Sequence, residues 1–199
     1  AYYYIAFGIG RQGQKENYYV KYKGEISGMS KIVIALGGNA LQSKDSAPTA
    51  QGQLEVVKHT CEKIADISGE GHELAIVHGN GPQIGRIILA SETAREVTPA
   101  MPFDVCGAMS QGYIGYQIQQ SLKYALSIRN KNCPVLTVAT QMVVDKNDPG
   151  FKNPQKPIGP FYTEDEARKL EAENGYQMRE DAGRGWRRVV ASPLPKKIV

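Results

Sequence analysis

Long apolar runs are missing from this 199-residue chain. No stretch approaches the roughly 18–20 apolar residues of a membrane-spanning helix, which excludes a helical membrane protein. Cysteine is scarce too. Cys61, Cys106 and Cys133 are odd in number and far apart, with neither CxxC spacing nor a nearby histidine. A disulfide framework and a thiolate metal site are both excluded, and the three read as reduced core thiols of a cytoplasmic protein. Only His59, His72 and His78 are available as imidazoles, and no nucleophile–base–acid triad is evident. Charge of one sign is also in short supply. Of the net +4, half comes from residues 1–28, where Arg11, Lys15, Lys21 and Lys23 face Glu16 and Glu25. The remainder is too small to argue for a nucleic-acid surface. The start is short and tyrosine-rich, unlike a secretory signal.

What is present is the composition of a soluble globular protein, 41% hydrophobic and 22% charged, with enough length to bury a core. Two glycine-rich turns stand out. Gly37-Gly38-Asn39 follows the apolar run Ile32–Leu36, and Gly79-Asn80-Gly81-Pro82 follows Leu74–His78. A buried strand that stops at glycines and opens a helix puts unpaired N–H groups and a positive dipole end at one spot. That spot suits a phosphate or another small anion. Two of them point to a mouth at the carboxyl edge of a parallel sheet. The structural alternative is that the glycines only satisfy positive φ or close packing.

Strand 31–36 is continuously apolar, the mark of a strand covered on both faces. Leu54, Val57, Cys61, Ile64, Ala65 and Ile67 then recur at helical spacing, Gly69 and Gly71 stop the helix, and strand 73–78 follows. This is a βαβ unit. Pro82 fits the opening of the next helix. A long helix spans roughly 104–128, with Gly107, Gly112 and Gly115 inside it allowing close approach of another helix, read as intrachain packing with a dimer seam as the alternative. Pro134–Val144 is β-rich and is expected to join the sheet. From about 146 to 180, prolines and glycines interleave with Phe151, Ile158, Phe161 and Tyr162, which reads as a small protruding subdomain. Thr163 with Glu166 three positions on predicts a capped helix.

Residues 1–28 do not match the rest. Tyr2-Tyr3-Tyr4, Tyr18-Tyr19 and Tyr22 crowd together without a period, and Met29-Ser30-Lys31 then leads into the first strand as a translation start would. Lys23-Gly24-Glu25 can be encoded AAA-GGA-GAA, a purine-rich ribosome-binding sequence at a suitable distance. The segment reads as a translated leader outside the fold, the alternative being a genuine extension or β-hairpin.

Four motifs together resemble the carbamate kinase family of the amino-acid-kinase superfamily. They are Ile34–Ala40, His78–Gln83, Phe151–Phe161 and Glu180–Arg187, and the resemblance runs from Ser30 to Val199. It implies an α/β fold, a three-layer αβα sandwich with a mainly parallel sheet and a protruding subdomain. It implies reversible phosphoryl transfer between carbamoyl phosphate and ADP, giving ATP and carbamate, in arginine deiminase-type catabolism. The family is a cytoplasmic homodimer using Mg2+ with ATP/ADP, without nucleic-acid or membrane partners. Residues 29–199 would be its N-terminal carbamate- and phosphoryl-binding lobe. The C-terminal nucleotide lobe would be absent, leaving this chain weak or inactive alone.

By the same resemblance, backbone N–H groups of Gly37, Gly38 and Asn39 would cradle the transferring phosphoryl. Gly79, Asn80 and Gly81 would hold the carbamate end, and the Asn39 and Asn80 amides would add hydrogen bonds. Lys156 would reach in from the subdomain as the catalytic lysine, with Lys152 as fallback; the alternative is a solvated loop lysine. Arg184, Arg187 and Arg188 form a basic turn better read as hinge packing than as a phosphate contact. His78 reads as structural, and no metal ligand is assigned. Acetylglutamate and uridylate kinases share the glycine turns, but the lysine-bearing insertion at 150–160 argues against both. A non-catalytic anion-binding fragment is the other reading.

Overall fold

The structure, a computed structural model, describes residues 2–7, 18–21, 30–43, 47, 49–69 and 71–199. In chain order its elements are β1 (Tyr2–Phe7), β2 (Tyr18–Lys21), β3 (Lys31–Leu36), α1 (Gly38–Leu41), α2 (Ala50–Gly69), β4 (Glu73–His78), α3 (Gly81–Thr93) and α4 (Phe103–Ser127). Then follow β5 (Met142–Val144), β6 (Lys156–Tyr162), α5 (Glu164–Asn174), β7 (Met178–Glu180), β8 (Trp186–Val190) and β9 (Pro195–Ile198). None of the helices described is long and apolar enough to cross a membrane. The chain divides into two compact units, one made of the residues up to Asn80 with Gly112–Thr137, the other of Gly81–Gln111 with Val138–Val199.

The first unit is built on a sheet of order β2-β1-β3-β4. β3 and β4 run parallel in full register from Lys31↔Glu73 to Leu36↔His78, as a βαβ unit requires. Along β3 every second side chain is deeply buried, Ile32, Ile34 and Leu36, because a strand alternates its faces. They meet Val57, Cys61, Ile64 and Ala65 of α2 and Ile114, Ile118, Leu122 and Leu126 of α4 in one core. Each large aliphatic side chain so buried contributes about 1.5–3 kcal/mol. The opposite face of β4 is barer than the apolar run suggested, with Val77 half exposed. Thr49 caps α2, its hydroxyl accepting from Gly52 N–H at 3.0 Å, so the helix starts before its apolar period does. Gln53 of α2 and Gln117 of α4 are both buried. Gln53 donates to Gln117 (2.7 Å), and Gln117 donates to the Ala50 carbonyl (3.1 Å). A Cβ on Gly115 would overlap Thr137, so that glycine serves close intrachain packing.

Two stretches of the N-terminal segment set apart above are strands of this sheet. β1 pairs antiparallel with β2 and parallel with β3. Residues 8–17 and 22–29, including the Lys23–Glu25 run, lie outside the described residues. Of the three cysteines, Cys61 and Cys106 are buried, but Cys133 is exposed, which corrects its reading as a core thiol. Burial pushes the Cys61 thiol up to about 12.

The second unit carries a three-stranded antiparallel sheet of order β6-β8-β7, backed by α5 and α3. Thr163 opens α5 through the expected capping box: its hydroxyl accepts from Glu166 N–H, and the Glu166 carboxylate accepts from Thr163 N–H. Gly175 closes the helix in the left-handed conformation. The run Pro134–Val144 does not join β3 and β4. Only Met142–Val144 is a strand, and it pairs with β9. The Gln111 side-chain amide takes both backbone groups of Thr140, accepting from its N–H (2.7 Å) and donating to its carbonyl (3.1 Å). A strand ladder would need those same groups.

Candidate active site

The two strands that lead into the glycine turns end at the same level of the sheet. Leu36 and His78 are ladder partners, and Gly79 N–H donates to the Leu36 carbonyl at 3.2 Å. At the first turn, Gly37 is the N-cap of α1 with ordinary extended backbone, φ −76° and ψ 174°. The first bonds of the helical turn run from Ala40 N–H to Gly37 O (3.0 Å) and from Gln42 N–H to Gly38 O (2.8 Å). The N–H groups of Gly38 and Asn39 come before the first of these and so have no acceptor within the turn.

The glycines themselves carry the most information. Gly38, Gly79 and Gly81 have no positive φ, and a Cβ on any of them would meet nothing within 4 Å among the described residues beyond its own chain neighbours. Neither reason of the structural alternative, left-handed backbone or tight packing, therefore accounts for them. His78, at the end of β4, has its Nδ1 3.0 Å from the Gly79 carbonyl, as a structural histidine would.

Lys156 and Gly81 both belong to the second unit. Lys156, read from sequence as a loop residue, is the first residue of β6, paired with Val190, and its side chain is exposed. Lys152 is exposed as well and ends the 3₁₀ turn Pro149–Phe151, donating to the Pro149 carbonyl at 3.0 Å.

The arginines of the Glu180–Arg187 motif are engaged inside their own unit. Arg187 donates twice to the Gly159 carbonyl, from Nε (3.2 Å) and Nη2 (3.0 Å), and lies 3.3 Å from Asp181. Arg184 reaches the other Asp181 oxygen at 2.6 Å. Both guanidiniums sit over the Phe161 ring. Arg184 first, then Arg187, hold the Asp181 carboxyl below its ordinary value. Asp181, unassigned from sequence, is the hub of this cluster. Gly183 and Gly185 have φ of 74° and 119°, so turn geometry alone explains them.

Arg188 stacks 3.8 Å from the Tyr176 ring and 3.8 Å from Glu92 of α3, which also pairs with Arg95. These groups rim a cavity of about 390 Å³ floored by Ile88, Leu89, Ile158 and Leu170. Among the described residues no three His, Cys, Asp or Glu side chains gather as a metal site.

The Amino acid kinase family profile matches residues 30–178. This chain belongs to the amino acid kinase family. Within that family it is 56% identical over 172 residues to a carbamate kinase of Clostridium perfringens, covering 85% of this chain and 55% of the relative. A carbamate kinase of Pyrococcus horikoshii is 52% identical over 168 residues, covering 83% and 54%. Among solved structures, a carbamate kinase from Giardia lamblia bound to citric acid superposes with a TM-score of 0.77 at 44% identity, covering 87% of this chain and 56% of that one. The same enzyme bound to AMP-PNP gives 0.75. The chain thus spans about half the length of the relatives it matches.

The family's α/β fold agrees with the sequence reading. The Arg187–Gly159 contact was not foreseen. Its only sequence signal was the density of Arg and Gly in the Glu180–Arg187 motif, which does not say which carbonyl an arginine will take.

Proposed function

We propose that this chain supplies the carbamate- and phosphoryl-binding half of a carbamate kinase. Such an enzyme moves one phosphoryl group reversibly between carbamoyl phosphate and ADP, yielding ATP and carbamate. The observation that carries the reading is the set of turn glycines whose missing side chains neither the fold nor the backbone requires. Close identity to several carbamate kinases supports carbamoyl phosphate as the substrate. The relative solved with AMP-PNP supports a nucleotide as the second substrate.

Carbamate is already an anion, so its oxygen attacks the terminal phosphorus of ATP without a general base. As the new P–O bond forms, the bond from that phosphorus to the ADP oxygen breaks and ADP departs. Charge gathers on the equatorial phosphoryl oxygens, and catalysis consists of alignment and neutralisation. Amides at Gly37, Gly38 and Asn39 donate to the moving phosphoryl. Those at Gly79, Asn80 and Gly81 orient the carbamate, and the Lys156 ammonium adds positive charge from the subdomain. A nucleotide substrate would bring Mg2+ with it, and that ion would supply further neutralising charge to the phosphates. The residues described here gather no ligand set for that ion. The adenine pocket belongs to the other half of such an enzyme. On this reading the protein is a cytoplasmic homodimer serving arginine breakdown.

A coupled assay of ATP formation from carbamoyl phosphate and ADP tests the reading. The enzyme carrying this chain together with a nucleotide lobe is expected to form ATP. Lys156→Ala should lower kcat far more than it changes the KM for ADP. Failure of the intact enzyme to make ATP in the presence of carbamoyl phosphate overturns the substrate assignment.

A further inference from the structure

The ladder between β6 and β8 is interrupted at one place. Ile158 pairs with Arg188 and Tyr162 with Trp186, so Gly159, Pro160 and Phe161 together face the single residue Arg187. This is a bulge, a device that bends a strand and re-aims its side chains. It starts at Gly159, whose φ of 73° is open to glycine at little cost. Two unrelated contacts lock it. From β8, Arg187 closes on the Gly159 carbonyl with two donors while Asp181 braces the guanidinium. From α3, Gly85 packs so tightly that a Cβ there would lie 3.2 Å from Gly159 Cα and 3.3 Å from its nitrogen.

Gly159 is therefore the pivot where the Lys156-bearing strand meets α3. Lys156 lies three residues before it on β6. Gly85 lies four residues after Gly81, the last glycine of the second turn, so about 6 Å of helix separates them. We infer that Arg187 is a positioning residue for phosphoryl transfer: by clamping the Gly159 bulge against Gly85 it sets where the Lys156 ammonium stands relative to the start of α3. Arg187 touches neither substrate; it acts through Lys156. This rests on the reading that gives Lys156 the phosphoryl group. Planar, bidentate donation is the reason lysine cannot replace it, since an ammonium cannot present two parallel N–H groups to one carbonyl in fixed geometry.

The test is a double-mutant cycle in the enzyme carrying both halves, scored on kcat and on KM for ADP, with thermal melting recorded for each variant. Arg187→Gln and Arg187→Lys are each expected to lower kcat about 10- to 100-fold, the scale of a displaced catalytic group, with KM changed less than about 2-fold. In a Lys156→Ala background the same changes should cost almost nothing further. Gly85→Ala approaches the pivot from the other side with the arginine intact, so it reports even if the Arg187 variants do not fold, and it should show the same dependence on Lys156. If Lys156→Ala lowers kcat but the Arg187 and Gly85 losses multiply with it, the positioning role is wrong and the lysine reading survives. If Lys156→Ala leaves kcat unchanged, both fall.

Discussion

Glycines of two kinds occupy the two ends of this molecule's chemistry, and they obey different rules. Gly85, Gly115 and Gly185 are demanded by the chain itself: neighbouring atoms crowd the missing Cβ, and Gly185 also has positive φ. Gly38, Gly79 and Gly81 are surrounded by open space with ordinary backbone. The first kind is explained by folding. The second is not explained by crowding or backbone among the described residues, and the proposed function gives it a use.

The sharpest attempt to break this contrast is Gly38→Ala. A Cβ at this position of α1 is expected to leave melting unchanged or raise stability by up to about 1 kcal/mol, since glycine is a poor helix former. Turnover in the two-lobe enzyme should nevertheless fall about 100-fold, because the methyl group would hold the phosphoryl group off the turn amides, and loss of one such hydrogen bond in the transition state costs about that much. Full activity would place Gly38 with the packing glycines. Gly115→Ala is the converse. Overlap with Thr137 should cost about 1–3 kcal/mol in urea denaturation, as overpacking does. A neutral result would mean that the Thr137 segment yields freely.

A smaller effect is expected at the capped helix of the second unit. Thr163→Ala should cost about 1 kcal/mol and speed hydrogen exchange in the first turn of α5 more than elsewhere. Uniform exchange changes would deny the cap its local role. The smallest effect is the pH dependence of the Asp181 cluster. Its carboxyl is lowered from an ordinary 3.8 by Arg184 and then Arg187. The ion pairing therefore stabilises the fold above about pH 4 and is lost as pH falls through the lower folded value. Asp181→Asn should melt below the parent at pH 6, with the gap closing below pH 4. An equal gap at pH 3 would remove the ion pairs as its cause.

Much of this was legible in the chain. Apolar runs located β3 and β4, and helical spacing located α2 and α4, because burial leaves a trace in local order. Thr163 and Glu166 announced their helix, since a capping box is made of neighbours. The glycine turns were visible for the same reason, but not their meaning: whether a glycine is crowded depends on residues far along the chain. Pro134–Val144 misled because apolar, β-branched composition says that a segment can pair, not with what, and Gln111 claims Thr140 from a distant helix. Cys133 misled because a cysteine carries no signal of its own burial.

Sequence alone determined the family and the turn motifs, which are contiguous and chemically distinctive. Only tertiary structure decided that Gly38, Gly79 and Gly81 stand in open space while Gly159 is gripped by Gly85 and Arg187. The reason is physical. Local conformational preference is written in adjacent residues, whereas the space around an atom is set by every element packed against it.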